Sequence, residues 1–301
     1  MEMRQQAGRA LVLRQADALI GKARQYNTSD DGLKLDPSVA VPRYASAVDI
    51  HCMPGGYHTE LTADDVTAAA NYDCGIFATT GGMLGRFNDG GGQALAQWLK
   101  EEHPDFKPKR ILDIGCTVGH NIVPLAQAFP DAEVIAIDVA APMLRYAHAR
   151  ARALGVTNIT FVQANGEALS YPDGHFDIVM TSMFWHETSA KAMPKMLAES
   201  YRVLASGGLT AHLEQPQYHG MDPYEQFIRD WDAYNNNEPF WSVMHDYDLQ
   251  KMMADAGFDP ERYFETKIRG VVDRDIFPVA SEKGEDHGRA ALWTMFGAWK
   301  A

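Results

Sequence analysis

The chain has 301 residues, 46% of them hydrophobic, enough to bury the core of one large domain or of one domain with an appended cap. A formal net charge of −13 and a pI near 5.2 argue against sequence-independent binding to nucleic acid or anionic membranes, which needs basic patches. Three cysteines, odd in number and unevenly spread, outline no disulfide framework. The first residues are polar or charged (Glu2, Arg4, Gln5, Gln6, Arg9, Arg14), and no apolar run is long enough to span a bilayer. A soluble, cytoplasmic protein is expected.

Residues 1 to about 25 carry apolar positions at Ala10, Leu11, Leu13, Ala16, Leu19 and Ile20, which predicts a helix ending near Gly21. A polar, turn-rich stretch follows from Asn27 to Pro37. In Val48-Asp49-Ile50-His51-Cys52-Met53-Pro54-Gly55-Gly56-Tyr57-His58, Pro-Gly-Gly fixes a turn with His, Tyr and His crowded around it. This is either a loop closing over a site, a metal site from His51, Cys52 and His58, or a plain turn between packed helices with a satisfied histidine. A helix is expected over Leu61–Tyr72, opened by Thr62 with Asp65 three residues later. The Gly-rich Ile76–Gly92 reads as loops, Gly92–Glu102 as a helix with Leu95, Trp98 and Leu99 inward, and His103–Pro108 as a linker.

Arg110-Ile111-Leu112-Asp113-Ile114 is an apolar run ending next to the small-residue turn Gly115-Cys116-Thr117-Val118-Gly119, with helical spacing resuming at Ile122, Val123, Leu125, Ala126 and Phe129. It reads as strand, tight turn and helix, with unpaired helix N–H groups facing whatever sits at the turn. The turn lacks the Gly-x-Gly-x-x-Gly of a dinucleotide site. Glu133–Asp138 is a second strand ending in an acid about 20 residues on, where a ribose-binding carboxylate belongs in such units. Met143 and Leu144 open a helix that stops at Gly155. Further strands are read at Ile159–Gln163, Ile178–Ser182 and Leu209–Leu213. Glu214–Tyr247 is too long for a simple connection. It holds Tyr218, His219, Tyr224, Phe227, Trp231, Tyr234, Phe240, Trp241 and His245. Phe227, Trp231 and Tyr234 recur at helical spacing, which points to core packing for part of it and to aromatic pocket walls for the rest. A helix over Leu249–Ala256, a strand over Arg262–Arg269, a loop at Glu282–Asp286 and a last strand over Ala290–Phe296 stopped by Gly297 complete the chain.

Asp113-x-Gly115-Cys116-x-x-Gly119, together with the order and spacing of the elements over about 110 to 215, resembles the class I S-adenosylmethionine-dependent methyltransferases. The resemblance implies an α/β fold: a seven-stranded, mostly parallel sheet with an antiparallel C-terminal strand and helices on both faces. Residues 106–301 would form this domain, with the aromatic insertion at about 214–247. Residues 1–105 would form a helical N-terminal lid over the carboxyl ends of the strands, where ligands sit in open α/β sheets. It further implies that Asp113, Gly115 and Gly119 contact the methionine part of S-adenosylmethionine and that Asp138 accepts from both ribose hydroxyls. Asn165 stands where many relatives have an aspartate for the adenine amine, and Thr117 where many have glycine. Cys116, Asn121, Val139, Met143, Gly166, Glu167 and Ser182 complete the expected cofactor set, Cys116 as a packing residue rather than a reactive thiol.

The stretch Met183-Phe184-Trp185-His186-Glu187 ends the fourth strand of that pattern, near where the methyl group should lie. Methyl transfer is an in-line displacement whose first need is alignment. A hydroxyl or activated carbon acceptor usually also needs a base, which His186 suits, although a histidine there can equally just pack beside the cofactor. Glu187, Tyr57 and His58 are the further catalytic candidates, with Glu214 and Trp241 as weaker pocket residues; no metal is expected. The reading is methyl transfer to a small molecule, the accepting atom being open among O, N, S and C. The alternative is a non-catalytic S-adenosylmethionine-binding or partner-regulating protein of the same fold. A homodimer is possible; nucleic acid and membrane are not expected partners.

Overall fold

The computed structural model describes residues 2–28, 31–275 and 292–301. Two helices, α1 (Glu2–Leu13) and α2 (Ala16–Tyr26), stand where one was expected. The second runs through Gly21, which costs a helix interior only about 1 kcal/mol, because Ile20 and Ala23 pack with Val66 and Ala149 in a small core. The stretch read as turns from Asn27 contains a two-residue strand, β1 (Leu33–Lys34). After α3 (Arg43–Ser46), helix α4 (Thr67–Thr80) starts later than predicted and reaches further. Its start is set by Asp65 rather than Thr62: the Asp65 carboxylate accepts from the N–H groups of Leu61 and Thr67, each at 2.7 Å, fastening the turn that precedes the helix. Gly81, in the left-handed region, ends it.

Helix α5 (Gly90–Glu102) starts two residues earlier than predicted and takes in Gly90 and Gly91, which were read as loop. The reason is close approach. A Cβ at Gly92 would collide with the backbone of Asn121, whose side-chain carbonyl accepts the Gly92 N–H at 2.8 Å. The glycines let the helix start against the Gly115–Gly119 turn.

The central region then alternates as expected: β2 (Arg110–Ile114), α6 (Ile122–Ala128), β3 (Glu133–Asp138), α7 (Ala141–Ala153), β4 (Ile159–Gln163), β5 (Phe176–Ser182), α8 (Met193–Val203) and β6 (Leu204–Glu214). Helices α9 (Pro223–Asn235), α10 (Trp241–Met244) and α11 (Leu249–Asp255) precede β7 (Tyr263–Arg269) and β8 (Leu292–Trp299). The predicted loop at Glu282–Asp286 and the predicted strand start at Ala290 lie outside the described residues.

Among the described residues one sheet of eight strands results, in the order β1-β4-β3-β2-β5-β6-β8-β7. The strand beyond the seven expected is β1, which pairs parallel with β4 at the edge. From β1 to β6 all pairings are parallel, and β8 runs antiparallel to both neighbours. Gly297 does not stop β8. It sits opposite Ala211 inside the strand, where a Cβ would collide with the Thr210 carbonyl oxygen, so glycine here serves close backbone approach.

Two apolar layers cover the sheet. Leu95, Leu99, Ile122, Leu125, Leu144 and Ala147 pack on one face, and Met193, Met196, Leu197, Met244, Leu249 and Met253 on the other. At roughly 25 cal/mol per Å² of apolar surface removed from water, such layers are the main stabilising term. They fix the sheet so that Asp113, Asp138, Ser182 and Glu214 all lie at or beside the carboxyl ends of their strands. Helices α1 and α2 pack on α4 and α7 beside that end.

Helix α9 corrects the core-packing expectation. Phe227, Trp231 and Tyr234 are 58%, 57% and 84% exposed. The opposite face of the helix, carrying Glu225, Arg229 and Asp232, lines the cavity instead. The polar positions keep the same helical spacing as the aromatic ones, so periodicity alone does not say which face turns inward.

Candidate active site

A cavity of about 1120 Å³ opens at the carboxyl end of the sheet, just above the roughly 300–1,000 Å³ usual for ligand sites. Its walls come from the turns after β2, β3, β4 and β5, the end of β6, helix α4, the segment around residues 44–58 and the insertion after β6.

The turn after β2 forms its floor. Gly115 and Gly119 have φ of 77° and 76°, and Thr117, at 45°, is also in the left-handed region. A β-branched residue is unfavourable there, and the Thr117 N–H is held by the Asp138 carboxylate at 2.9 Å. That bond compensates for the glycine found at this place in many proteins of the resembling family. The other Asp138 oxygen accepts from Ala140 N–H, also at 2.9 Å. Each oxygen keeps a lone pair to offer the cavity. Burial raises the Asp138 carboxyl to about 6, against the pull of these N–H groups.

Asp113 is 3% exposed, and its Oδ1 has no hydrogen-bond partner among the described residues. Burial, and secondarily the Asp138 charge, push its carboxyl up to about 8. A buried acid with no cation beside it is costly, yet this one lines the cavity, where a ligand's cation could satisfy it.

Of the residues predicted to contact a cofactor, Asp113, Gly115, Cys116, Asn121, Asp138, Val139, Asn165, Gly166 and Ser182 line the cavity. Gly119, Met143 and Glu167 do not. Gly119 shapes the turn from behind, against Phe161. Met143 is fully buried in a cluster with Val118 and Ala140. Glu167 pairs with Lys195 at 2.9 Å and lines a separate shallow depression. Asn121 acts as a brace, its amide N–H donating to Ser182 Oγ at 2.8 Å while its oxygen holds Gly92. The Asn165 oxygen accepts from Glu167 N–H at 2.9 Å in a local Asx turn, so one of its lone pairs is already used. The Cys116 thiol is driven up by burial, consistent with packing.

The expected catalytic candidates His186, Glu187, Tyr57 and His58 all line the cavity, as do Glu214 and Trp241. They belong to an assembly that the sequence did not announce. His186 Nδ1 lies 2.6 Å from Glu214 Oε1, and His186 Nε2 lies 3.3 Å from Glu238 Oε2. His51 Nδ1 lies 3.1 Å from Glu238 Oε1, and His51 Nε2 lies 3.2 Å from Glu187 Oε1. Tyr57 OH donates to Glu187 Oε1 at 2.7 Å. Three carboxylates and two imidazoles therefore alternate in one chain. Glu214 anchors it, accepting from the backbone N–H groups of Phe184, Trp185 and Gln215 at 3.1, 2.8 and 2.7 Å.

Both ring nitrogens of His186, the expected base, are engaged in this geometry. Burial opposes its charge, but Glu214 and then Glu238 overcome that and hold its pKa up to about 9. Both ring nitrogens face carboxylates, which favours the charged ring. His51, also against the cost of burial, is raised well above 6.5 by Glu238 and Glu187. Glu187 is lowered: burial works against its charge, and the His51 hydrogen bond and charge prevail.

The metal alternative from His51, Cys52 and His58 does not assemble, since the Cys52 thiol donates to the Asn235 carbonyl at 3.4 Å. His51, Glu187 and Glu238 do bring one ligand atom each within 4.8 Å of one another. The two nitrogens of His51 meet different carboxylates, so these residues also stand in a chain of ion pairs. Glu238 had no signal in the sequence beyond being an acid in an aromatic insertion. Tyr72 was likewise missed; it lies between His51 and His120, and the His120 ring bonds Asp73 at 2.7 Å.

Comparison with known proteins agrees with the geometry. Residues 111–208 match the family described as methyltransferase domain. A demethylmenaquinone methyltransferase of Thermus thermophilus is 43% identical over 109 residues, 36% of this chain and 48% of that protein. A ubiquinone/menaquinone biosynthesis C-methyltransferase of a Shewanella species is 31% identical over 172 residues, 51% of this chain and 68% of that protein. The chain spans about half the length of the first curated relatives it matches, 48% and 52%. In fold it is similar to phosphoethanolamine N-methyltransferase 2 of Haemonchus contortus, solved with phosphomonomethylethanolamine and S-adenosylhomocysteine. The TM-score is 0.53 at 19% identity, covering 76% of this chain and 58% of the other. No helix among the described residues is long and apolar enough to cross a membrane.

Proposed function

This chain belongs to the class I S-adenosylmethionine-dependent methyltransferase family, and we propose that it transfers a methyl group to a hydroxylated small molecule, by C-methylation of a ring of the quinol type. The observation that carries the cofactor part is the pair of acids on the cavity floor. Asp113 offers a buried oxygen without a partner, suited to a ligand ammonium, and Asp138 keeps a lone pair on each oxygen, suited to two vicinal hydroxyls. The residues present therefore fit S-adenosylmethionine, with Gly115 and Gly166 also lining the cavity.

When bound, S-adenosylmethionine supplies a methyl group on a sulfonium, which any aligned nucleophile can take. Glu187 is the proton acceptor in this reading. It is ionised, it lines the cavity, and it accepts from Tyr57, which orients it. His186 serves as a fixed charge, with Trp241 packed against it at a centroid distance of 5.0 Å. The names of the relatives, demethylmenaquinone methyltransferase and ubiquinone/menaquinone biosynthesis C-methyltransferase, favour the ring carbon of a quinone precursor as the methyl acceptor.

The test is calorimetric titration of the protein with S-adenosylmethionine, S-adenosylhomocysteine and NAD, with wild type beside Asp138→Ala. A labelled-methyl assay on demethylmenaquinol follows. Binding of both adenosyl ligands, lost or weakened at least thirtyfold in the variant, and label in the quinol product are expected. Folded, ligand-free protein that binds neither adenosyl ligand, or NAD alone, would overturn the reading.

A further inference from the structure

The chain Glu187–His51–Glu238–His186–Glu214 is drawn from four separate parts of the sequence. It spans the short turn containing Ile50–Cys52, the turn Trp185–Glu187 after β5, the end of β6 and the segment after α9. His186 and Glu238 are 2% and 3% exposed, whereas the side chains of His51 and Glu187 are each 15% exposed. The His186–Glu214 end is therefore the more deeply buried and is anchored, and the His51–Glu187 end is the more open to the cavity. Each imidazole has a carboxylate within ion-pair distance of each of its nitrogens, the Glu238 contacts lying outside hydrogen-bond geometry. With both rings charged, three negative groups stand against two positive ones, and one negative charge is uncompensated. Glu187, at the open end, is the group placed to neutralise it.

We infer that His51 and Glu238 are positioning residues for proton transfer to Glu187, and that the charge-unbalanced chain they complete selects a methyl acceptor that gives up a proton, such as a phenol or an enol, over a thioether. The inference rests on the methyltransferase reading and deepens it. In the step itself the acceptor O–H bond breaks and a Glu187 Oε–H bond forms. The electron pair left on oxygen is conjugated into the ring carbon, whose new bond to the methyl group would form as the methyl–sulfur bond breaks and S-adenosylhomocysteine leaves. Loss of the proton on that ring carbon and return of a proton to the oxygen then restore the aromatic ring. The chain then has no net charge, and the proton leaves to solvent from the open end. Glu238 does not touch the acceptor in this scheme; it holds His51 as an imidazolium, and His51 in turn holds Glu187 ionised and aimed.

The other ionisable groups around His51 and Glu187 are Tyr57 and Tyr72, whose rings flank His51, Asp138 from β3, and His186. Asp73 and His120 pair with each other beyond Tyr72. The two tyrosines are both raised by burial and remain neutral near pH 7. Asp138 carries a negative charge that would raise Glu187 rather than lower it. His51 and His186 are thus the two cations facing Glu187, and Glu238 supports both.

Two measurements test this. The first needs no variant to be active: histidine-selective ¹⁵N NMR of wild type saturated with S-adenosylhomocysteine, with His51→Asn used only to assign the His51 signals. A doubly protonated His51 ring persisting above pH 7.5 is expected, and titration of that ring near its ordinary value of about 6.5 would overturn the inference. The second is the pH profile of kcat for demethylmenaquinol with Glu238→Gln. Without the Glu238 charge both rings lose protons at lower pH, and Glu187 loses its cation and binds its own proton more tightly. Activity should therefore fall at least tenfold at pH 6–7 and recover toward pH 9. A loss by the same factor at every pH, or an unmoved profile, would reduce Glu238 to a packing residue. If wild type methylates no quinol, the functional reading fails, while the NMR result still decides the charge state of the chain.

Discussion

Asp113 offers a quantitative test of cofactor binding, because its carboxyl is held up to about 8 by burial and by the Asp138 charge. In the ligand-free protein at pH 7 about 0.9 of the molecules then carry the Asp113 proton, from the ordinary titration relation. The ammonium of S-adenosylhomocysteine beside this oxygen would favour the carboxylate and expel that proton. Asp138, at about 6, is mostly ionised already and adds roughly 0.1 proton. The expected release is therefore about one proton per ligand bound at pH 7. Affinity should fall about tenfold per pH unit between pH 7.5 and 6. Once the pH passes the pKa of the ligand's own α-amine, loss of that charge reverses the trend.

The assay is calorimetric titration with S-adenosylhomocysteine in phosphate and in Tris, whose heats of ionisation differ, so that the slope of the apparent enthalpy counts protons. Asp113→Asn should abolish the slope and weaken binding by roughly 1.5–3 kcal/mol, the worth of a charge-assisted hydrogen bond. In the ligand-free protein the sign is opposite. A carboxyl raised from about 3.8 to about 8 contributes stability that is complete below pH 3.8 and is lost as pH rises through 8. Even half of that displacement is roughly 3 kcal/mol at about 1.4 kcal/mol per unit, so Asp113→Asn should be more stable than wild type at pH 8. A binding enthalpy independent of buffer, with affinity changing less than threefold from pH 7.5 to 6, would refute the argument.

Gly297→Ala should destabilise the protein by roughly 2–4 kcal/mol, in the range of overpacking and backbone strain. The new methyl group would collide with the Thr210 carbonyl oxygen and lie 2.9 Å from the Phe264 ring; urea unfolding followed by circular dichroism measures it, and a change below 0.5 kcal/mol would mean that the β6–β8 pairing is looser than described. Trp185 and Trp231 make a contrasting pair. Trp185 is fully buried, so Trp185→Ala should cost about 3–5 kcal/mol, whereas Trp231→Ala on the exposed face of α9 should cost roughly 0.5 kcal/mol or less. Comparable losses for the two in the same unfolding experiment would place α9's aromatic face in a core. Gly115→Ala should weaken S-adenosylhomocysteine at least tenfold by calorimetry, since that Cβ needs a left-handed backbone and the space of the Phe184 ring; unchanged affinity would show that the turn can move at little cost.

The strands from Arg110 to Glu214 were legible because each is a short apolar run between turn residues, and the pattern is local. Glu133–Asp138 and Ile159–Gln163 have the predicted bounds. Periodicity failed wherever a residue's meaning lay in a distant neighbour. Gly91 reads as loop until Asn121 stands against it. Gly297 reads as a stop until Thr210 lies opposite it. The aromatic stripe of α9 reads as core until the cavity claims the other face.

By itself, then, the sequence determined the order of strands and helices, the turn after β2 and the acid at the end of β3, since hydrophobic spacing and glycine placement act within a few residues of chain. Only the tertiary structure decided which groups share the cavity with them. His51, His186 and Glu238 are separated by 135 and 52 positions along the chain, yet their side chains meet within 3.1 and 3.3 Å of shared carboxylate oxygens. No local pattern records such a meeting, because the protonation of each imidazole depends on carboxylates brought to it by packing rather than by sequence.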